Sequence, residues 1–191
     1  MEMASQGVLA RDRYDAFSII LHWSTAFLVI IQFLFAEFWD FFPHPVKHLM
    51  IVTHMSLGIV LTVVLAARII WRLTPGHAVR DAGTGILEKA AKVMHLALYV
   101  LLTLQMPLGF LTRWTDDHPL DFFGLMIPSP LGSFSEATGR FVDQLHDINA
   151  WVIMGLAAAH ALAALFHHYV MDDNVLRRMM PARVRKAGLG S

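Results

Sequence analysis

Four long apolar runs limit what this chain can fold into more than any other feature of its sequence. They cover residues 19–38, 49–70, 94–111 and 148–166. A helix needs about 20 mostly apolar residues to cross the hydrocarbon core of a bilayer, and each run is close to that length. Only 16% of the residues are charged, against about 25% in soluble domains. The sequence therefore predicts an all-α integral membrane protein, a bundle of four transmembrane helices.

The four spans occupy most of the chain and leave no room for a separate soluble domain. We predict a transmembrane domain over residues 16–171, with spans at about 17–38, 48–71, 89–111 and 146–168. A polar segment, residues 1–15, precedes this domain, and a basic tail that suits anionic headgroups, residues 172–191, follows it. The first run is too long for the apolar core of a signal peptide, so we interpret it as a membrane anchor.

Lys and Arg residues are distributed unequally between the two sides of the predicted membrane. Most of them fall on the side that holds both termini, and only three fall on the other side: Lys47, Arg113 and Arg140. Cytoplasmic loops carry the excess of Lys and Arg in membrane proteins. The asymmetry predicts that both termini are cytoplasmic, and the opposite side is called the outer side here.

The absence of cysteine narrows the cofactor chemistry that the chain can support. It excludes disulfides, iron–sulfur clusters, thiolate zinc sites and covalent haem attachment through a Cys-x-x-Cys-His motif. Any haem must therefore be held by histidine or methionine, and the chain contains 11 histidines.

The fourth apolar run carries two of these histidines, His146 and His160. Their separation of 14 residues places them about 21 Å apart along a helix and within about 40° of one face. A ligating or ionisable side chain inside a membrane is costly enough to indicate function, and imidazole is the commonest metal ligand among side chains. We predict that this helix carries one ligand for each of two stacked haems.

Depth in the membrane pairs these two histidines with partners on other spans. His54 lies near the outer end of the second span, at the level of His146, whereas His22 lies near the cytoplasmic end of the first span, at the level of His160. Two histidines on one iron give a six-coordinate low-spin haem with no open position, which favours electron transfer over oxygen binding. Four-helix bundles build cofactor sites in this way, from side chains on facing helices.

Two further residues in the spans have candidate roles at these sites. Gly58 follows His54 by one turn on the same helical face, where it leaves space for a flat ring. His95, in the third span, lies toward the cytoplasmic side and could replace His22 or His160 as a ligand, or donate a hydrogen bond to a haem propionate or a quinone carbonyl. We favour the hydrogen-bonding role, because it leaves the two histidines of the fourth span as ligands.

The remaining histidines are not predicted to be ligands, and metal transport is a weaker interpretation of the histidine pairs. We expect four histidines to be packed or interfacial residues: His44, His48, His77 and His118. Zinc or copper transport is a fallback use of paired histidines, but the spans lack the carboxylates that we would expect beside them.

Several local motifs give the chain a family resemblance over nearly its whole length. They are ILHW with His22, HMSLG with His54, the pair His146 and His160 at their spacing, and the ending HHYVMDDNVLRRMMP. In these residues the chain resembles the bacterial cytochrome b561 family of small four-span dihaem proteins. The resemblance implies an inner-membrane protein with two haems b, ligated by these four histidines, that exchanges electrons with ubiquinone.

The resemblance also suggests a reaction, since the family includes a superoxide oxidase that passes electrons from superoxide to ubiquinone. Superoxide, or another small donor, would then be oxidised on the outer side, where we predict that Arg113 steers the anion because it is the outer base closest to a span. The alternative is a haem b subunit that wires a dehydrogenase or hydrogenase partner to the quinone pool. In either case we expect contact with membrane lipid and ubiquinone, a possible redox partner protein, and no nucleic acid.

Overall fold

The computed structural model describes residues 13–75, 85–132 and 134–180. Four long helices account for most of them: α1 (Ala16–Phe38), α2 (His44–Leu73), α3 (Ile86–Trp114) and α4 (Glu136–Tyr169). A short hairpin, β1 (Leu120–Phe122) and β2 (Leu125–Ile127), lies between α3 and α4. Two 3-10 turns complete the described elements, Trp39–Phe41 after α1 and Leu176–Met179 after α4.

All four helices are long and apolar enough to cross a membrane, which confirms the predicted all-α bundle of four transmembrane helices. Many large apolar side chains point outward from the bundle, among them Ile20, Phe27, Leu104 and Leu162. Such an apolar surface is stable in lipid and would be a liability in water.

Parts of the predicted terminal segments lie outside the described residues. These are residues 1–12 and 181–191, and the loop residues 76–84 and Ser133 are likewise outside. His77 and five of the bases counted on the cytoplasmic side therefore have no structural description: Arg11, Arg80, Arg183, Arg185 and Lys186.

The helices pack as two antiparallel pairs, α1 with α2 and α3 with α4, and a smaller contact joins α2 to α3. A buried cluster of Leu65, Leu102 and Ile153 connects three of the helices in the middle of the bundle. Ile153 lies midway between His146 and His160 along α4. Packed apolar side chains therefore occupy the level between the two histidines of α4.

Capping residues set where two of the helices begin. Asp15 caps α1 by accepting a hydrogen bond from the Ser18 N–H at 2.9 Å, and it also accepts one from the indole N–H of Trp71 near the end of α2. Ser135 caps α4 by accepting from the Thr138 N–H at 3.2 Å. Polar side chains at this position satisfy backbone donors that have no partner within the helix. Because of the Ser135 cap, α4 extends past His146 at its outer end.

The outer and cytoplasmic ends of the bundle are covered by different segments. At the outer end, buried Ser56 of α2 accepts a hydrogen bond from the Phe123 N–H at 2.9 Å and thereby holds the hairpin. At the other end, the carbonyl of Met179 accepts from the Trp23 indole at 2.8 Å, and the carbonyl of Met180 accepts from Arg13 at 2.9 Å. Both ends of the described chain therefore lie on the same side of the bundle.

Candidate functional site

The folded bundle brings four histidines together as two pairs. The ring centroids of His54 on α2 and His146 on α4 lie 6.5 Å apart. Those of His22 on α1 and His160 on α4 lie 6.3 Å apart. These are the partners that depth in the membrane predicts, and α4 supplies one ring to each pair.

The spacing within both pairs suits a metal ion held between two imidazoles. A metal lies about 2 Å from each histidine nitrogen, so facing ring centroids on either side of it lie about 6 Å apart. Both measured separations are close to this value. Across the described residues, no cluster of three or more His, Asp or Glu side chains is arranged around a common metal position. Two ligands on opposite faces are what an axially ligated haem iron requires.

A cavity of about 470 Å³ surrounds the outer pair, which is within the range of about 300–1,000 Å³ for cofactor sites. All four helices contribute to its walls, and the lining includes Phe33, His54, Gly58, Gln105, Gly109, Arg113 and His146. The walls combine apolar side chains with a few polar groups, as is usual for sites that take a large flat ligand.

Two glycines leave space in the wall of this cavity. A Cβ atom on Gly109 would lie 3.1 Å from Cε1 of His146, so glycine allows the α3 backbone to approach that ring. A Cβ atom on Gly58 would lie 3.1 Å from Nε2 of Gln32. Gly58 therefore lines the cavity at the expected level, and its contact with a flat ring stays a prediction. Nothing in the sequence distinguished Gly109 from a glycine at a helix–helix contact.

The hydrogen bonds of the outer pair leave ring nitrogens available. Nδ1 of His54 lies 3.0 Å from the carbonyl oxygen of Gln32. Because a carbonyl only accepts, Nδ1 carries the proton and Nε2 retains its lone pair, as in histidines that ligate metals. Nδ1 of His146 is buried without a hydrogen-bond partner among the described residues. A buried ring nitrogen without a partner is unusual, whereas Nε2 of the same ring lies 3.3 Å from the amide nitrogen of Gln105. The lone pair on Nε2 of His54 and the spacing of the two rings fit a haem held between them.

The inner pair has a cationic neighbour that sequence analysis did not assign to the site. Arg68 of α2, which we counted only as a cytoplasmic-side base, places Nη2 3.0 Å from Nδ1 of His22. Its guanidinium carbon lies 5.1 Å from the ring centroid of Tyr99. Because the guanidinium only donates, Nδ1 of His22 accepts in this arrangement. The proton of the neutral ring is then on Nε2 and must leave that nitrogen before it can ligate a metal. The inner site therefore contains a half-buried positive charge held against two rings.

His95 lies next to the inner pair. Its ring centroid is 5.2 Å from that of His160, closer than the 6.3 Å between His160 and His22. His95 is also exposed at the surface of the bundle. A ligand in the lipid can therefore reach His95 without entering the space between His22 and His160, and its role remains a prediction.

Arg113 lines the outer cavity, and its Nε is buried without a hydrogen-bond partner among the described residues. The other two outer bases are engaged elsewhere, since Lys47 pairs with Asp40 and Arg140 pairs with Glu136. Four carboxylates also line the same cavity: Glu37, Asp116, Asp143 and Asp147. Of the three outer bases, Arg113 is therefore the one that lines this cavity.

Comparison with known proteins yields a consistent set of relatives. A family model described as prokaryotic cytochrome b561 matches residues 13–182. Cytochrome b561 homolog 2 of Escherichia coli K12 is 30% identical over 177 residues, 88% of this chain and 92% of that protein. Cytochrome b561 homolog 1 of the same organism is 31% identical over 179 residues, 90% of this chain and 99% of that protein. A Yersinia pestis protein named probable superoxide oxidase CybB is 30% identical over 175 residues, 90% of this chain and 97% of that protein.

Proposed function

Since this chain belongs to the prokaryotic cytochrome b561 family, we propose that it carries electrons across the bacterial inner membrane from superoxide to ubiquinone. Family membership implies haem b and electron transfer. Our proposal goes beyond family membership in four respects: the number of haems, the donor, the acceptor and the cytoplasmic position of both termini. The observation that carries it is the pair of matched imidazole separations, 6.5 Å and 6.3 Å, on facing helices.

In this proposal His54 and His146 hold the outer haem b, and His22 and His160 hold the inner one. Haem b supplies reversible one-electron exchange at its iron. The two imidazoles of each pair would hold the iron of one haem and leave it no position for oxygen. The cluster of Leu65, Leu102 and Ile153 excludes water from the middle of the bundle.

The overall reaction balances with one quinone for two superoxide anions. Each superoxide loses one electron and leaves as O₂, and ubiquinone gains two electrons and two protons to become ubiquinol. Arg113 attracts the anion into the outer cavity, where a positive charge raises the local concentration of anions. The name of the Yersinia pestis relative, probable superoxide oxidase, supports this choice of donor.

In this proposal ubiquinone binds at the inner end of the bundle, beside His95. The exposed ring of His95 is accessible from lipid, where ubiquinone is dissolved, and it lies 5.2 Å from the ring of His160. An imidazole can donate a hydrogen bond to a quinone carbonyl and pass a proton to the reduced oxygen. With the inner end facing the cytoplasm, the two protons come from that side.

The test combines a haem count with an assay that contains no partner protein. The purified protein in detergent should show two b-type haems per chain in its reduced-minus-oxidised spectrum. A steady supply of superoxide should reduce a short-chain ubiquinone, and added superoxide dismutase should abolish that reduction. His22→Ala, His54→Ala, His146→Ala and His160→Ala should each remove or convert one haem.

Two results would contradict the proposal at different levels. Two haems without any reaction with superoxide would reject the donor and favour the conduit function, in which a dehydrogenase or hydrogenase partner delivers the electrons. Wild-type protein without two haems would reject the ligand assignment.

A further inference from the structure

Two amide side chains connect α3 and α4 inside the membrane. Asn149 of α4 donates from Nδ2 to the Leu101 carbonyl at 3.0 Å and to Oε1 of Gln105 at 2.6 Å. Gln105 of α3 donates from Nε2 to the carbonyl of His146 at 3.1 Å. We call these two residues the amide clamp.

The amide clamp joins the two helices through their backbones. Leu101 and His146 lie within helices, and a carbonyl oxygen has two lone pairs, so it can accept a side-chain hydrogen bond in addition to the helical one. Polar side chains that bond across membrane helices stabilise one relative placement of those helices. The clamp therefore restrains the height and rotation of α4 at the level of the outer pair.

The clamp also restrains the ring of His146. Because Oε1 of Gln105 accepts from Asn149, the amide nitrogen of Gln105 is turned toward His146, where it lies 3.3 Å from Nε2 of the ring. Gly109, one turn further along α3, allows the backbone to approach the same ring. Thus α3 contacts His146 at two levels, although it supplies no ring to the outer pair.

We propose that Gln105 and Asn149 are positioning residues for His146, and that they set the ring orientation and hence the redox potential of the outer haem. The inference rests on the proposed function, in which that haem lies between His54 and His146. Groups around a metal-bound histidine orient its ring and tune the metal. Asn149 acts through Gln105, because its hydrogen bond fixes which end of the Gln105 amide faces His146.

Three substitutions test this assignment. Gln105→Met removes the amide but keeps an unbranched side chain of similar length. Asn149→Leu removes the second half of the clamp and serves as an independent variant if Gln105→Met fails to fold. The matched control is Thr103→Val, which removes a polar group from the exposed face of α3, where the hydroxyl donates to the carbonyl of Tyr99 in the same helix.

The measurements are the haem count, a redox titration and the low-temperature EPR spectrum of each protein. His54→Ala identifies the outer haem by the signal that it removes. We expect Gln105→Met and Asn149→Leu to retain two haems, with a shifted midpoint potential and a shifted EPR signal for the outer haem alone. The double variant should shift the potential by less than the sum of the two single shifts, since the two residues share one network. Thr103→Val should match the wild type.

Wild-type potentials and EPR signals in both variants would overturn the inference, as would equal changes in both haems, which indicate a general loosening of the bundle. Failure of the ligand assignment gives a different result, because the wild-type protein itself would then lack the outer haem. Rejection of superoxide as the donor would leave the potentials and EPR signals of all these proteins unaffected.

Discussion

Arg68 donates a hydrogen bond from its guanidinium group to Nδ1 of His22 across 3.0 Å, from α2 to α1. The same guanidinium packs against the ring of Tyr99 on α3. One cation therefore connects three helices at the level of the inner pair. A charge in a membrane helix is costly and is retained where it has a function.

We predict that Arg68→Met lowers the midpoint potential of the inner haem. A nearby cation disfavours the ferric state, which carries one more positive charge than the ferrous state. Two charges about 8 Å apart interact by about 2 kcal/mol at an effective dielectric constant of about 20, which is on the order of 100 mV for a one-electron couple. A redox titration measures the shift, and Arg68→Lys should restore most of it. Unchanged potentials in Arg68→Met would mean that the charge does not act on the inner haem.

Within each imidazole pair, the two ring planes are nearly perpendicular. The angle between them is 77° for His54 with His146 and 70° for His22 with His160. Nearly perpendicular axial imidazoles give ferric low-spin haem a highly anisotropic EPR signal with a large maximum g value. We therefore expect two such signals from the oxidised protein at low temperature. Rhombic signals, as given by parallel rings, would show that the rings turn when the haems bind.

His95→Ala should keep both haems and impair the reduction of ubiquinone. Loss of one hydrogen bond to the quinone is worth about 1.4 kcal/mol, so we expect a decrease of about tenfold in catalytic efficiency toward quinone. Stopped-flow reduction of the haems by superoxide should be unchanged, and His95→Gln should recover part of the loss. A missing haem in His95→Ala would instead identify His95 as a ligand.

Arg113→Ala should slow reduction of the haems by superoxide by about tenfold, and the remaining rate should depend less on ionic strength, because electrostatic attraction of the anion is screened by salt. Arg140→Ala is the matched control, since this outer base pairs with Glu136 at the surface. A rate equal to that of the wild type in Arg113→Ala would exclude Arg113 as the steering base.

Asp15 should make the stability of the protein sensitive to acid. Burial opposes its ionisation, but hydrogen bonds from the Ser18 N–H, the Ser18 hydroxyl and the Trp71 indole outweigh this and lower the pKa of Asp15 below its usual value. The carboxylate therefore stabilises the fold above the unfolded pKa of about 3.9, and this contribution is lost as the pH falls through the lower folded value. Asp15→Ala should destabilise the protein by about 1 kcal/mol near neutral pH and weaken its acid dependence.

Thermal unfolding in detergent between pH 7 and pH 3 measures this difference. The control is Asp172→Asn, outside the helices, because Asn tolerates the positive φ of 49° at this position. Parallel stability curves for Asp15→Ala and the wild type would contradict the assigned role.

The sequence by itself determined the number of helices and the depth of each histidine. Apolar length identifies a span because the hydrocarbon core has a fixed thickness. Position along a helix follows from residue number, since each residue adds about 1.5 Å. For this reason the partners of His146 and His160 could be predicted before any packing was known.

Only the tertiary structure decided which polar side chains surround these histidines. In the sequence, Gln105 and Asn149 are single amides in apolar runs, and Arg68 is a base near the end of a span. None of these features indicates a contact with a histidine. Their contacts depend on how far each helix is rotated about its axis and which helix lies beside it. Rotation and neighbours result from side-chain packing between helices, which is distributed over many residues and has no local signature in the sequence.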